Sequence, residues 1–178
     1  MAEQSEMALQ NGVDSTLQSH NLHDTWNLWA HLPHDTSWSL DSYKKITTFK
    51  LVEEIIALNH SLPDVLIKNC MLFLMRDGIQ PIWEDEKNRN GGCFSYKINN
   101  RNVVDVWKQL SYAIVGETVS MNDEFRSNVT GITISPKKNF CIIKIWMSGC
   151  SHQNTQQISP IKGLNSHGCI FKKHNPEF

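Results

Sequence analysis

Apolar and polar residues follow two rhythms along this chain, and the switches between them mark its elements. Residues 1–19 keep neither: Gln, Ser, Asn and Glu are mixed without a period, the mark of a disordered tail. From His20 the character changes. Leu22, Trp26, Leu28 and Trp29 crowd large apolar groups together and predict a first strand. Residues 31–40, with Pro33, Asp35, Thr36 and Ser37, predict a loop that carries Trp38, and 43–49 a second strand. Leu51, Ile55, Leu58 and Leu62 recur at helical spacing, so 50–61 reads as a helix ending before Pro63. Glu53 and Glu54 fall in its first turns, where the helix dipole favours negative charge.

Further on, 70–76 is a nearly continuous apolar run and predicts a buried strand. Residues 93–98 alternate after Gly91-Gly92, a pair suited to a hairpin turn. A helix over 102–115 gathers Val103, Val106, Trp107, Leu110 and Ile114 on one face, and Gly116 stops it. Residues 129–135 and 140–147 read as strands joined by a turn at 135–139. After Met147 the pattern dissolves into Ser, Gln, Asn and Gly, with one more short strand near 169–173. Strands with short turns and two inserted helices make an α+β domain on an antiparallel sheet, spanning 20–178.

Composition narrows the partners. Lys and Arg total 17 against 18 Asp and Glu, a net charge of −1, so the basic excess of a protein that grips long nucleic acid is missing. A nucleic-acid partner would have to be recognised locally, at a base or an end. No apolar run approaches the roughly 20 residues that span a bilayer, and the amino terminus lacks a signal-peptide pattern. The five cysteines are odd in number with no CxxC pair, which suits free thiols in a cytoplasmic protein.

Tryptophan is the unusual component, with six copies. Trp26, Trp29 and Trp107 sit among Leu and Val and read as core. Trp83 does not: Pro81-Ile82-Trp83-Glu84-Asp85-Glu86 is too polar for an interior. A solvated loop with one packed indole is one reading. The other is a ligand site, because an exposed indole suits a flat cation and the adjacent carboxylate can accept N–H groups from a base edge.

The run Asp77-Gly78-Ile79-Gln80-Pro81-Ile82-Trp83-Glu84-Asp85-Glu86-Lys87-Asn88 resembles the signature of the eukaryotic translation initiation factor 4E family. His20-Asn21-Leu22, Trp26-Asn27-Leu28-Trp29, Trp38, Phe49, Val52-Glu53, Trp107, Val115-Gly116-Glu117 and Ile145-Trp146 follow in family order over residues 20–147. The resemblance implies a curved antiparallel sheet with helices on its convex face and a slot for the 7-methylguanosine cap of messenger RNA on its concave face. It implies that Trp38 and Trp83 stack the base, Glu84 reads its guanine edge and Trp146 meets the methyl group. It also implies a convex patch for a helical motif of the scaffold initiation factor or of repressors, matched here by His20, Val52, Ile56 and Gly116.

Several positions depart from the family pattern. Cys93 and Ile142 stand where basic phosphate ligands are expected, which leaves Lys137, Lys138 and Lys144 as the candidates for the cap phosphates. On the partner patch, Asn21 replaces a proline, Ile56 a tryptophan and Lys108 an apolar residue, so partner choice is expected to differ. The part after about 148 is divergent, with Pro160, Gly163 and Gly168 opposing the long helix the family carries there. A regulator or repressor with weakened cap affinity is the alternative role. Cys150, His152, His167 and Cys169 invite zinc, but their one-residue gaps are not zinc-knuckle spacing, and scattered loop residues are the favoured reading; no metal or cofactor is expected. No nucleophile, metal-hydrolase or cofactor motif stands out, so the chain is read as a binding protein and not an enzyme.

Overall fold

The computed structural model describes residues 19–176, so the tail expected over 1–19 lies almost wholly outside the described residues. Strands β1 (Asn21–His31), β2 (Tyr43–Leu51), β3 (Met71–Arg76), β4 (Gly92–Asn99), β5 (Val129–Pro136), β6 (Phe140–Met147) and β7 (Ile170–Lys173) form one sheet in the order β2-β1-β3-β5-β6-β4-β7. Every neighbouring pair is antiparallel. The expected α+β class is the one observed. Between β6 and β7 the described chain holds only a single 3-10 turn, Thr155–Gln157.

Side chains alternate across the pleat, and the two faces do different work. One face carries Trp26 and Leu28 of β1, Leu72 and Leu74 of β3, Ile132 and Ile134 of β5, and Ile143 and Ile145 of β6, all buried in the main core. Helices α1 (Val52–Ser61) and α3 (Val103–Val115) cover it. α3 buries Val103, Val106, Trp107, Leu110 and Ile114 at helical spacing, each worth about 1.5–3 kcal/mol of burial. A hydrogen bond from Asn59 Nδ2 to Ser111 Oγ (2.9 Å) ties α1 to α3 inside that core. The opposite face carries Phe73, Met75, Cys93 and Trp146, packed as a second, smaller cluster.

Three expectations need correction. The helix expected from residue 50 starts at Val52, because Lys50 and Leu51 still belong to β2 while the Glu54 carboxylate accepts both of their N–H groups (2.8 and 3.0 Å). Two further short helices, α2 (Asp64–Asn69) and α4 (Asp123–Asn128), escaped the periodicity because six residues are under two turns. Gly91-Gly92 makes no hairpin: β3 and β4 are not neighbours in the sheet. Gly91 instead lets two backbones meet, since a Cβ there would lie 1.7 Å from the Met147 carbonyl oxygen.

At one end of the sheet Arg76 organises three segments. Its guanidinium pairs with Asp24 and, at 2.7 Å, with Glu117, and donates to the carbonyls of Val129 (2.7 Å) and Arg126 (3.1 Å). The Trp26 ring lies 4.7 Å from its Cζ. Glu117 follows α3 in the left-handed region (φ 53°), a conformation unusual for a non-glycine residue, and its carboxylate meets Arg76.

Candidate functional site

Trp83 stands on the loop between β3 and β4, and short polar side chains beyond it fold that loop. Asp85 accepts the backbone N–H of Gln80 and of Lys87, both at 2.8 Å. Asn88, fully buried, donates its amide to the carbonyls of Gln80 (3.0 Å) and Ile82 (2.9 Å). The loop is thereby closed on the residues that precede Trp83, and the indole is left 36% exposed. Trp38 stands on the β1–β2 loop, where Asp35 accepts the Ser37 N–H (2.9 Å) and the Ser42 hydroxyl donates to the Ser39 carbonyl (2.7 Å). Its indole is 59% exposed.

A histidine stacks on each of these indoles. His31, buried at the end of β1, donates through Nε2 to the Ser37 carbonyl (2.7 Å), and its ring stacks on Trp38 with centroids 4.2 Å apart and planes 5° from parallel. His174, just past β7, donates through Nδ1 to the Asn88 carbonyl (2.7 Å) and stacks on Trp83 at 5.6 Å and 11°. Burial, with the Lys144 charge nearby, holds the His174 imidazole below its ordinary range.

Both tryptophans line one groove of about 690 Å³ on the sheet face opposite the helices. Glu84 lines it beside Trp83, and the sheet supplies Phe73, Thr133, Lys144 and Trp146. Lys144 and Trp146 share a face of β6, two residues apart, and pair in register with Ser95 and Cys93 of β4. Tyr43, also in the lining, has its phenol pushed up to about 12 by burial first and then by the Glu84 charge, so it stays a neutral donor at ordinary pH. The groove thus offers two flat aromatic walls, one carboxylate and one ammonium. Such a set suits a planar base with donors on its edge.

Residues 21–174 match the model of the eukaryotic initiation factor 4E family. The chain belongs to that family. The chain is 32% identical over 152 residues to eukaryotic translation initiation factor 4E of Eremothecium gossypii, covering 81% of this chain and 69% of that one. The human factor is 30% identical over 140 residues, covering 75% and 63%. Two solved structures share the fold: C. elegans eIF4E-3 with the 4E-binding protein Mextli and a cap analog (TM-score 0.68, 24% identity, 75% and 77% covered), and Schistosome eIF4E with m7GpppG and 4E-BP (0.67, 24%, 75% of each). This is a family of translation initiation factors and not of enzymes.

Of the residues the family resemblance singled out, Trp38, Trp83, Glu84 and Trp146 come together in the groove, joined by Lys144, the candidate read from the strand face of Trp146. Lys137 and Lys138 do not line it; they are exposed in the β5–β6 turn, past the lining residue Ser135. Cys93, where the family resemblance expects arginine, is buried opposite Trp146. Trp29, read as core, lies half-buried on the groove-side face, with Lys45 Nζ 5.1 Å over its ring. His31 and His174 went unread. A histidine closing a strand just before an aromatic loop is a usable signal for His31; nothing local marks His174.

On the helical side, His20 and Val52 meet through a 2.8 Å bond from the Val52 N–H to the His20 carbonyl. His20 Nδ1 lies 2.7 Å from Glu53, and that hydrogen bond holds the Glu53 carboxyl below its usual range. Ile56 is 43% exposed on α1, Gly116 is exposed after α3, and Lys108 is half-buried on α3. Cys150, His152, His167 and Cys169 are not gathered at ligand distance among the described residues: the Cys150 thiol donates to the Gly91 carbonyl (3.4 Å), while His152 packs on Phe125. No helix among the described residues is long and apolar enough to cross a membrane.

Proposed function

We propose that the groove holds the 7-methylguanosine cap of messenger RNA, with the base stacked between Trp38 and Trp83, in a cytoplasmic factor of translation initiation. The observation that carries this reading is the placing of two exposed indoles, each stacked on an imidazole, on one groove beside Glu84. A methylated guanine is a flat delocalised cation, so it gains both stacking and cation–π attraction there. Glu84 accepts the two N–H groups of the guanine edge, and Trp146 packs against the methyl group. Lys144, and from the rim Lys137 and Lys138, meet the triphosphate. Residues 20–178 act as one cap-binding domain, divergent after about 148.

Two relatives were solved with cap analogues and 4E-binding proteins, which supports a partner surface here as well. We place it at His20, Val52, Ile56 and Gly116, for a helical motif of a scaffold factor or repressor. Asn21, Ile56 and Lys108 alter that surface. A second reading, a regulator with a weakened hold on the cap, is favoured by one observation: Lys144 is the sole cation among the groove's lining residues.

Titration of tryptophan fluorescence with 7-methyl-GTP and with GTP tests the base site. Quenching by 7-methyl-GTP that weakens about tenfold or more in Trp83→Ala and in Glu84→Gln is expected. A wild-type protein that responds to neither nucleotide ends the reading. Retention on cap resin, set beside retention on a scaffold-derived helical peptide, separates the initiation factor from the regulator.

A further inference from the structure

Glu84 and Lys144 are the only charged side chains lining the groove among the described residues. They carry opposite charges, so the groove is electrically balanced before any ligand arrives. Lys144 projects from the middle of β6, in register with Thr133 on one side and Ser95 on the other, and is half-buried. No carboxylate pairs with it within ion-pair distance among the described residues. Its ammonium lies instead over the ring of Trp83, 5.7 Å from the centroid.

That placement matters for which base the groove prefers. A carboxylate beside two indoles favours a cationic base over a neutral one, through both charge attraction and cation–π contact. An ammonium fixed to the sheet a few ångströms from one of those indoles works against the same preference. It is repelled by a cationic base and not by a neutral one. Its contact with the Trp83 ring is also of the kind that a cationic base would make.

We infer that Lys144 is a specificity-determining residue that lowers the groove's discrimination between the cationic 7-methylguanine and neutral guanine. The inference rests on the base-stacking reading proposed above. Attraction between Lys144 and the triphosphate is common to 7-methyl-GTP and GTP, so it cancels in the ratio of their affinities. What remains in that ratio is the effect of the lysine on the base itself.

The experiment is a fluorescence titration of the full chain with both nucleotides, in wild type, Lys144→Met, Lys144→Gln and Lys137→Ala. Both neutral replacements at 144 are expected to raise the 7-methyl-GTP to GTP affinity ratio by roughly three- to tenfold, while absolute affinity for both nucleotides falls. Lys137→Ala removes the same charge outside the lining and is expected to leave the ratio unchanged. An unchanged or lower ratio in either folded Lys144 variant overturns the inference and leaves the stacking reading intact. If neither nucleotide binds the wild type, the stacking reading fails and the inference goes with it.

Discussion

The imidazole of His174 lies along the indole of Trp83, with ring centroids 5.6 Å apart and planes 11° from parallel. The same imidazole is 4.9 Å from Trp146, tilted by 57°, so one buried ring touches two of the three groove tryptophans. Its Nδ1 and its backbone N–H reach the carbonyls of Asn88 (2.7 Å) and Gly91 (3.0 Å), the end of the loop that carries Trp83. His174 therefore clamps that loop onto the sheet.

Because burial favours the neutral ring, His174 binds its proton less readily folded than unfolded. As pH falls below the ordinary imidazole value of 6.5, the unfolded chain protonates first and gains stability over the folded one. Stability is thus full above that value and is lost on acidification, at about 1.4 kcal/mol per pH unit at full slope, until the folded ring protonates too. Melting temperature followed from pH 7.5 down to roughly 5 should fall less steeply in His174→Gln than in wild type. Equal slopes would remove His174 as the source.

Arg76 is the second single residue on which several segments depend. Its side chain is 13% exposed and serves Asp24, Glu117 and two carbonyls while lying over Trp26. Arg76→Met should cost about 3 kcal/mol, the low end for a broken buried pair because Asp24 is 41% exposed. Arg76→Lys should recover only part of it, since one ammonium cannot replace a planar fork. Urea midpoints measure both, and a wild-type midpoint in Arg76→Met would contradict the network's role.

The sheet and the long helices were legible because their residues repeat. The run 70–76 and the α3 stripe from Val103 to Ile114 announce burial by spacing alone. α2 and α4 were not legible: they are six residues long, and α4 is polar apart from Phe125, whose N–H the Asn122 side chain caps. In the site, Trp83-Glu84 stood out as aromatic and acidic residues in a polar run suited to a flat base, and Trp38 and Trp146 gained their roles only from the family resemblance. The stacking of His31 and His174 on the two walls was invisible, because it joins chain segments that only the folded sheet brings together. From the sequence, Lys144 offers only a charge on the strand face of Trp146; its lean over Trp83 is a property of side-chain packing.

Gly91 and Gly78 make a contrasting pair on the same loop. A methyl at Gly91 would strike the Met147 carbonyl, a backbone atom that cannot turn aside, so β4 and β6 would have to part beside Trp146. At Gly78 the φ is +75° with open space around it, so alanine meets only backbone strain. Gly78→Ala should cost about 1 kcal/mol and Gly91→Ala at least about 3 kcal/mol. Thermal melts of the two variants decide this, and similar losses would mean that the backbone around Gly91 relaxes freely.

Lys137 and Lys138 lie outside the groove lining, in the turn after Pro136, close in sequence to the lining residue Ser135. Their contribution should be long-range and easily screened, because both are exposed. Removing both charges in a Lys137→Ala, Lys138→Ala double variant should weaken 7-methyl-GTP binding severalfold at low salt and leave 7-methylguanosine, which has no phosphate, unchanged. The plot of log affinity for 7-methyl-GTP against log salt should also become shallower, because fewer charges are then paired on binding. A salt slope identical to wild type would mean that the phosphates never reach the turn, and that Lys144 faces them alone.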